Sequence, residues 1–135
     1  LEGLAALGVL GRDARIVHGS TVATNAVLEG KGARTAFVTN RGFADLLTIG
    51  RQARARLYDL TPPLPPVPVS PALCLETGGR LGADGSVVED LTDQDLAALR
   101  AELAALAPEA VAICLLFAFQ DERFEARIEA SLSDL

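Results

Sequence analysis

Six of the seven prolines in the chain fall between Pro62 and Pro71. That density forbids regular helix, because each proline fixes its own φ and removes an amide donor, and it favours extended polyproline geometry. Folded structure must therefore lie on either side of a stiff connector over residues 61–72. With 135 residues, half of them hydrophobic, the chain can close one core without a disulfide or metal staple. The expectation is a single domain over 1–135, with a core in 14–60 and an extension in 73–135.

Before the connector, Leu1, Leu4 and Leu7 recur at near-helical spacing and are followed by Gly8, which suits the tail of a helix. Residues 14–18 read as a short strand. Gly19, Ser20 and Thr21 then turn the chain, with hydroxyls able to cap a helix running to about Glu29. The small apolar stripe Val22, Ala23, Ala26 and Val27 suits packing on a sheet. Gly30 or Gly32 ends that helix, and residues 35–39 form a second apolar strand. The spacing predicts a β-α-β unit over 14–39 with parallel strands, both ending at one edge. A short helix over 43–49 is stopped by Gly50.

Beyond the connector, residues 74–81 and 86–89 flank Asp84-Gly85, whose positive-φ preference predicts a hairpin. Thr92 and Asp95 precede Leu96, Leu99, Leu103 and Leu106, the signature of a capped amphipathic helix ended at Pro108. Residues 110–119 form a continuous apolar run, expected as a strand buried on both faces. A last helix turns Phe124, Ile128 and Leu132 inward.

Several classes fall away on composition. A net charge of −6 with 4% aromatic residues argues against nucleic-acid binding, which needs clustered cations or stacking platforms. No apolar run approaches the ~20 residues of a membrane span. Two separated cysteines make no disulfide framework, so a reducing, cytoplasmic compartment is expected. Both thiols sit in apolar runs and read as buried and inert. One histidine and two unclustered cysteines offer no metal-ligand spacing. The chain holds no methionine and opens on Leu1, so it reads as a piece of a longer protein.

In open α/β sheets, ligands bind beyond the carboxyl ends of the strands, where residues 18–21 and 39–42 are expected to meet at one rim. Gly19 lets a ligand approach the backbone, and Ser20 and Thr21 offer hydroxyls and helix-opening amides to an anion. Ser20 equally suits a plain helix cap. His18 has a pKa suited to proton transfer, or a structural place at a strand end. Residues 31–56 hold Lys31, Arg34, Arg41, Arg51, Arg54 and Arg56 against Asp45 alone, a local +5 in a chain of −6. Such an island suits a phosphate or carboxylate, or else a solvated face answering an acidic neighbour. Arg51 and Gln52, directly after Gly50, are its sharpest element.

The order His18-Gly-Ser-Thr-Val-Ala-Thr-Asn-Ala26, Lys31-Gly-Ala-Arg-Thr35, Arg41-Gly-Phe43, Ile49-Gly-Arg-Gln52 and Leu57-Tyr-Asp-Leu60 resembles the amino-terminal region of the hydantoinase and 5-oxoprolinase family. The likeness extends through Gly79-Arg80-Leu81 and the last apolar strand. It implies a partial lobe of the ribonuclease-H-like, actin and hexokinase ATPase superfamily, with a β-α-β core and a hairpin, helix, strand, helix extension. It implies ATP with Mg2+, and phosphorylation of a carbonyl oxygen to open a cyclic amide or, in some members, to activate a ketone for carboxylation. Gly19, Ser20 and Thr21 would contact phosphate; Asn25, Arg41, Arg51 and Gln52 would contact a small-molecule substrate; a hydantoinase B-type subunit or domain would be the partner. The family's Asp-Gly-Gly-Thr phosphate loop is missing, Ser20 replaces a common threonine, and residues 117–121 replace a common histidine and proline. The isolated chain is therefore expected to be inactive. A stand-alone module binding a small anion without chemistry is the competing reading; a third, compatible with either, makes the acidic second half, residues 73–135, mainly an interaction surface for a partner subunit.

Overall fold

A computed structural model of the chain describes Gly19, residues 21–52, Tyr58, Leu60 and residues 66–135. The expected helix in 1–7, the strand in 14–18, His18, Ser20, Arg54 and Arg56 lie outside them. The chain divides into two compact units, Leu1–Lys31 and Gly32–Leu135. That boundary falls inside the segment expected to make one β-α-β core.

In the first unit, α1 (Val22–Leu28) starts at Thr21 and ends on Gly30, whose φ of +62° only glycine adopts freely. The amides of Gly30 and Lys31 donate to the carbonyls of Val27 and Ala26, closing a Schellman turn. The helix buries none of its side chains; Val22 and Val27 are exposed. The expected apolar stripe is therefore not a packed face among the described residues. Thr21 also departs from expectation, because its hydroxyl makes no capping hydrogen bond.

The second unit is built on a three-stranded parallel sheet in the order β2-β1-β5, where β1 is Thr35–Asn40, β2 is Cys74–Thr77 and β5 is Ala110–Ile113. Apolar and β-branched residues suit β1 to the centre, and both of its sides are occupied, Val38 standing opposite Leu75 and Ile113. A 3-10 turn, Pro71–Leu73, brings the connector into β2. The run 74–81 is not the single hairpin strand expected. It breaks at Gly78-Gly79, where Gly79 has φ +87°, and continues as β3 (Arg80–Leu81), antiparallel to β4 (Val87–Glu89). The hairpin turn stands where Asp84-Gly85 placed it, with the Asp84 carboxylate accepting from the Ser86 amide at 3.0 Å.

One face of the sheet is covered by α3 (Asp93–Leu106) and α4 (Arg123–Leu132). Ala36, Val38 and Leu75 pack with Leu99 and Leu103 from α3 and with Phe124 and Ile128 from α4, as the helical periodicity predicts. Val38 and Ile128 are fully buried, each burial contributing roughly 1.5–3 kcal/mol. The capping box of α3 is present, Thr92 accepting from the Asp95 amide at 3.1 Å while the Asp95 carboxylate accepts from the Thr92 amide at 2.9 Å. At its other end Ala107 turns left-handed, and the Arg34 guanidinium donates to the carbonyls of Leu106 and Ala107. The short α2 (Leu46–Ile49) stops at Gly50.

β5 corrects another expectation. The strand ends at Ile113 rather than at residue 119, and Val111 is 37% exposed instead of buried on both faces. Past Cys114, whose amide still donates to the Val38 carbonyl of β1, the amides leave the ladder: Leu115 donates to Glu125 and Leu116 to Asn40, and Phe117 takes φ +61°. Cys114 is exposed and Cys74 half-buried, so only the latter partly fits the expected buried thiol.

Candidate functional site

The carboxyl ends of β1, β2 and β5 gather three turns within the second unit. Asn40 closes β1 fully buried, and its Oδ1 accepts from the Leu116 amide at 2.8 Å, tying the turn after β5 to the end of β1. Its partner across the ladder, Thr77, is also buried, and the Thr77 carbonyl accepts from the Arg41 amide at 3.1 Å. On the opposite face Glu76 takes the amides of Gly42 and Ala44, each at 2.9 Å, which folds the turn after β1 down onto β2. The Arg80 guanidinium lies 5.4 Å from the centre of the Phe43 ring.

Arg41 is engaged by acidic side chains. Its guanidinium forms salt bridges with both Glu89 and Asp95. These carboxylates, Asp95 foremost and then Glu89, push the Arg41 pKa up. The Asp95 carboxyl is held below the usual carboxylate range, first by the hydrogen bond from the Thr92 hydroxyl, then by the Thr92 amide and by Arg41, against the opposing effect of burial. Gly78 sits beneath this cluster. A Cβ there would come 2.6 Å from the Asp90 carbonyl oxygen, 3.0 Å from Asp95 Oδ2 and 3.3 Å from Arg41 Nη1. Only glycine fits.

Among the described residues, three of the island's cations are engaged within the fold. Lys31 pairs with Glu29 at 2.8 Å, Arg34 is turned onto the end of α3, and Arg41 is held by two acids. Arg51 and Gln52 remain exposed just past Gly50. Gln52 is left-handed, at φ +53°, a conformation that costs a non-glycine residue roughly 1–2 kcal/mol and is commonly retained where function needs it. In the first unit, Gly19, Thr21 and Asn25 are all exposed. No atom lies within 4 Å of where a Cβ on Gly19 would stand. Ser20 and His18 lie outside the described residues. The 18–21 turn belongs to one unit and Arg41, Arg51 and Gln52 to the other.

Sequence reasoning placed Asn40 only as part of the rim turn 39–42, read Gly78 as hairpin geometry, and passed over Glu76. Asn40 did carry a signal, since the period-2 alternation from Ala36 and Val38 puts a polar residue on the core face. Nothing local marks Glu76 or Gly78, whose partners come from distant segments.

The sequence profile described as the Hydantoinase/oxoprolinase N-terminal region matches residues 8–135. The chain belongs to this family. Among hydantoinase/oxoprolinase relatives, 5-oxoprolinase 1 of Arabidopsis thaliana is 60% identical over 43 residues, covering 32% of this chain and 3% of its own length. Two solved structures share the fold. One, a nucleotide-free acetone carboxylase from work on ATP-dependent acetone carboxylation, superposes with a TM-score of 0.80 at 23% identity, covering 98% of this chain and 20% of its own. The other, an ATP-dependent caprolactamase from Pseudomonas jessenii, gives 0.77 at 29% identity, covering 98% and 21%. The chain thus spans about a fifth of these two solved chains and a far smaller part of the oxoprolinase.

Proposed function

We propose that this chain is part of an ATP-dependent enzyme that opens a cyclic amide, to which it contributes one portion of the nucleotide and substrate site. The observation carrying this reading is the family match over residues 8–135, together with the 29% identity to an ATP-dependent caprolactamase along nearly the whole chain. ATP supplies a phosphoryl group that turns an amide carbonyl oxygen into a leaving group.

The residues present suit a phosphate. The open backbone at Gly19 and the Thr21 hydroxyl, which its own helix does not use as a cap, leave donors facing outward, with Ser20 between them in sequence. Among the described residues no cluster of three or more His, Cys, Asp or Glu side chains could hold a metal ion, so Mg2+ would arrive on the nucleotide. Arg51 and Gln52 offer a fork of donors and an amide to the substrate's carboxylate or ring amide, and Asn25 a further polar contact. Arg41 would act by holding the turn in place through Glu89 and Asp95. His18, next to Gly19 in sequence, is the candidate for proton transfer.

In this reading the chain is a partial ribonuclease-H-like lobe, the partner is a hydantoinase B-type subunit or domain, and the setting is the cytoplasm. Two free cysteines support that setting, and no helix among the described residues is long and apolar enough to cross a membrane. The test is to assay the full enzyme containing residues 1–135 with 5-oxoproline, hydantoin and caprolactam. ATP consumption matched to ring opening of one of them is the expected result. Ring opening without ATP, or ATP use matched to carboxylation of a ketone, would overturn it. The chain alone should hydrolyse no ATP.

A further inference from the structure

The carboxyl edge of the sheet encloses two polar side chains whose hydrogen-bonding capacity the fold does not use up. Asn40 and Thr77 stand opposite one another in the register of β1 and β2. Strand alternation carries Asn40 to the face of Ala36 and Val38, and Thr77 to the face of Leu75, the side that packs against α3 and α4. Asn40 is 0% exposed and Thr77 1%. The Oδ1 atom of Asn40 accepts from the Leu116 amide at 2.8 Å, which fixes the orientation of the carboxamide and leaves its Nδ2 to find an acceptor elsewhere. Asn40 Nδ2 and Thr77 Oγ1 are both enclosed, and neither has a hydrogen-bond partner among the described residues.

Native folds rarely keep two enclosed polar atoms unpaired side by side, because each has given up its contact with water. The core around them offers no remedy. Leu91, Leu115 and Phe124 are each at most 5% exposed and bring only hydrocarbon side chains, and the chain after Thr77 is pressed against two of them, since a Cβ on Gly79 would come 3.1 Å from Phe124 and 3.3 Å from Leu91. With both atoms on the helix-covered face, a segment outside the unit does not reach them. The spacing selects a small bridging group. Neighbouring strands lie about 4.8 Å apart, and two hydrogen bonds of about 2.8 Å meeting at a tetrahedral oxygen span roughly 4.6 Å.

We infer that one water molecule is bound inside the carboxyl edge of the sheet, accepting from Asn40 Nδ2 and donating to Thr77 Oγ1. Two such bonds are the lower end of what an internal water makes. The Thr77 carbonyl already takes the Arg41 amide. The water therefore closes a network that runs from the turn after β5, through Asn40, to the end of β2 and back to the turn after β1, so that the mutual placement of these turns depends on a captured solvent molecule.

The test is a high-resolution crystal structure of the chain together with urea titration of two variants. One density peak within about 3.2 Å of both Asn40 Nδ2 and Thr77 Oγ1 is expected. Thr77→Val keeps the shape of the side chain and removes the hydroxyl. It should lose the peak and lower the folding equilibrium constant about tenfold or more, because the Asn40 amide is left without an acceptor. Thr77→Ser retains the hydroxyl and should retain the peak. If Thr77→Val does not fold, the density in the wild type and in Thr77→Ser decides the matter. No peak in the wild type, a direct hydrogen bond between Asn40 and Thr77, a peak that persists in Thr77→Val, or a Thr77→Val variant at least as stable as the wild type would each overturn the inference.

Discussion

Arg41 and Asp95, 54 positions apart in sequence, are joined by a salt bridge that fastens the turn after β1 to the first turn of α3. The Asp95 carboxylate also accepts from Thr92 at the start of that helix, so one largely buried side chain, 11% exposed, both caps a helix and anchors a strand end. The turn that sequence reading assigned to an anion is thereby supplied with anions from within the fold.

Asp95→Asn should lower stability by about 1–2 kcal/mol at neutral pH. The folded Asp95 pKa lies below the value of about 3.9 expected in the unfolded chain. Its stabilisation is therefore complete above that unfolded value and disappears as pH falls through the lower, folded one. Urea midpoints measured from about pH 6 downward should drop more steeply for the wild type than for Asp95→Asn, the two converging in acid. Asp84, Asp121 and Asp134 are shifted in the same direction, but they are common to both proteins and leave the difference unaffected. Parallel curves would show that Asp95 carries no coupled charge.

Gly78→Ala should cost about 2 kcal/mol or more, since the new methyl group meets the Asp90 backbone at 2.6 Å and that carbonyl has nowhere to go without moving the Gly79 amide it accepts from. Gly32→Ala is the control. Nothing lies within 4 Å of its added Cβ, and its stability should stay within about 0.5 kcal/mol of wild type. Equal denaturation midpoints in the two variants would contradict the close packing at Gly78.

The two cysteines should differ in reactivity. Cys114 is exposed, whereas Cys74 is half-buried with its thiol pushed up, by burial first and by Asp45 second. Thiolate is the reactive form. At about pH 8, iodoacetamide should label Cys114 on the order of tenfold faster than Cys74, as peptide mapping by mass spectrometry would reveal. Faster labelling of Cys74 would be inconsistent with this burial.

Gln52 offers a separation of stability from function. Gln52→Gly relieves the left-handed backbone and should stabilise the protein by about 0.5–1 kcal/mol. If its side chain contacts substrate as proposed, the same change in the full enzyme should lower kcat/KM about tenfold or more, and Arg51→Ala should do so with no change in melting temperature. Wild-type kinetics in both variants would remove the pair from the site.

Much of this protein could be read from short stretches of sequence, because the preferences involved are settled within a few residues. The Asp84-Gly85 turn, the Thr92 and Asp95 capping box, the glycine that ends α1, and the inward stripes Leu99, Leu103 and Phe124, Ile128 all stand where local chemistry put them. Pairing and charge engagement were decided only by the tertiary structure. Whether residues 74–81 make one strand depended on what Gly78 packs against, and whether residues 110–119 continue as a strand depended on Asn40 and Glu125 capturing the next amides. Within the basic island, Arg41 likewise lost its free charge to Glu89 and Asp95, which lie 48 and 54 positions away. Periodicity reports which face of an element is apolar; it carries no information about which distant segment will supply the neighbour, and at Arg41 it is the neighbour that sets the chemistry.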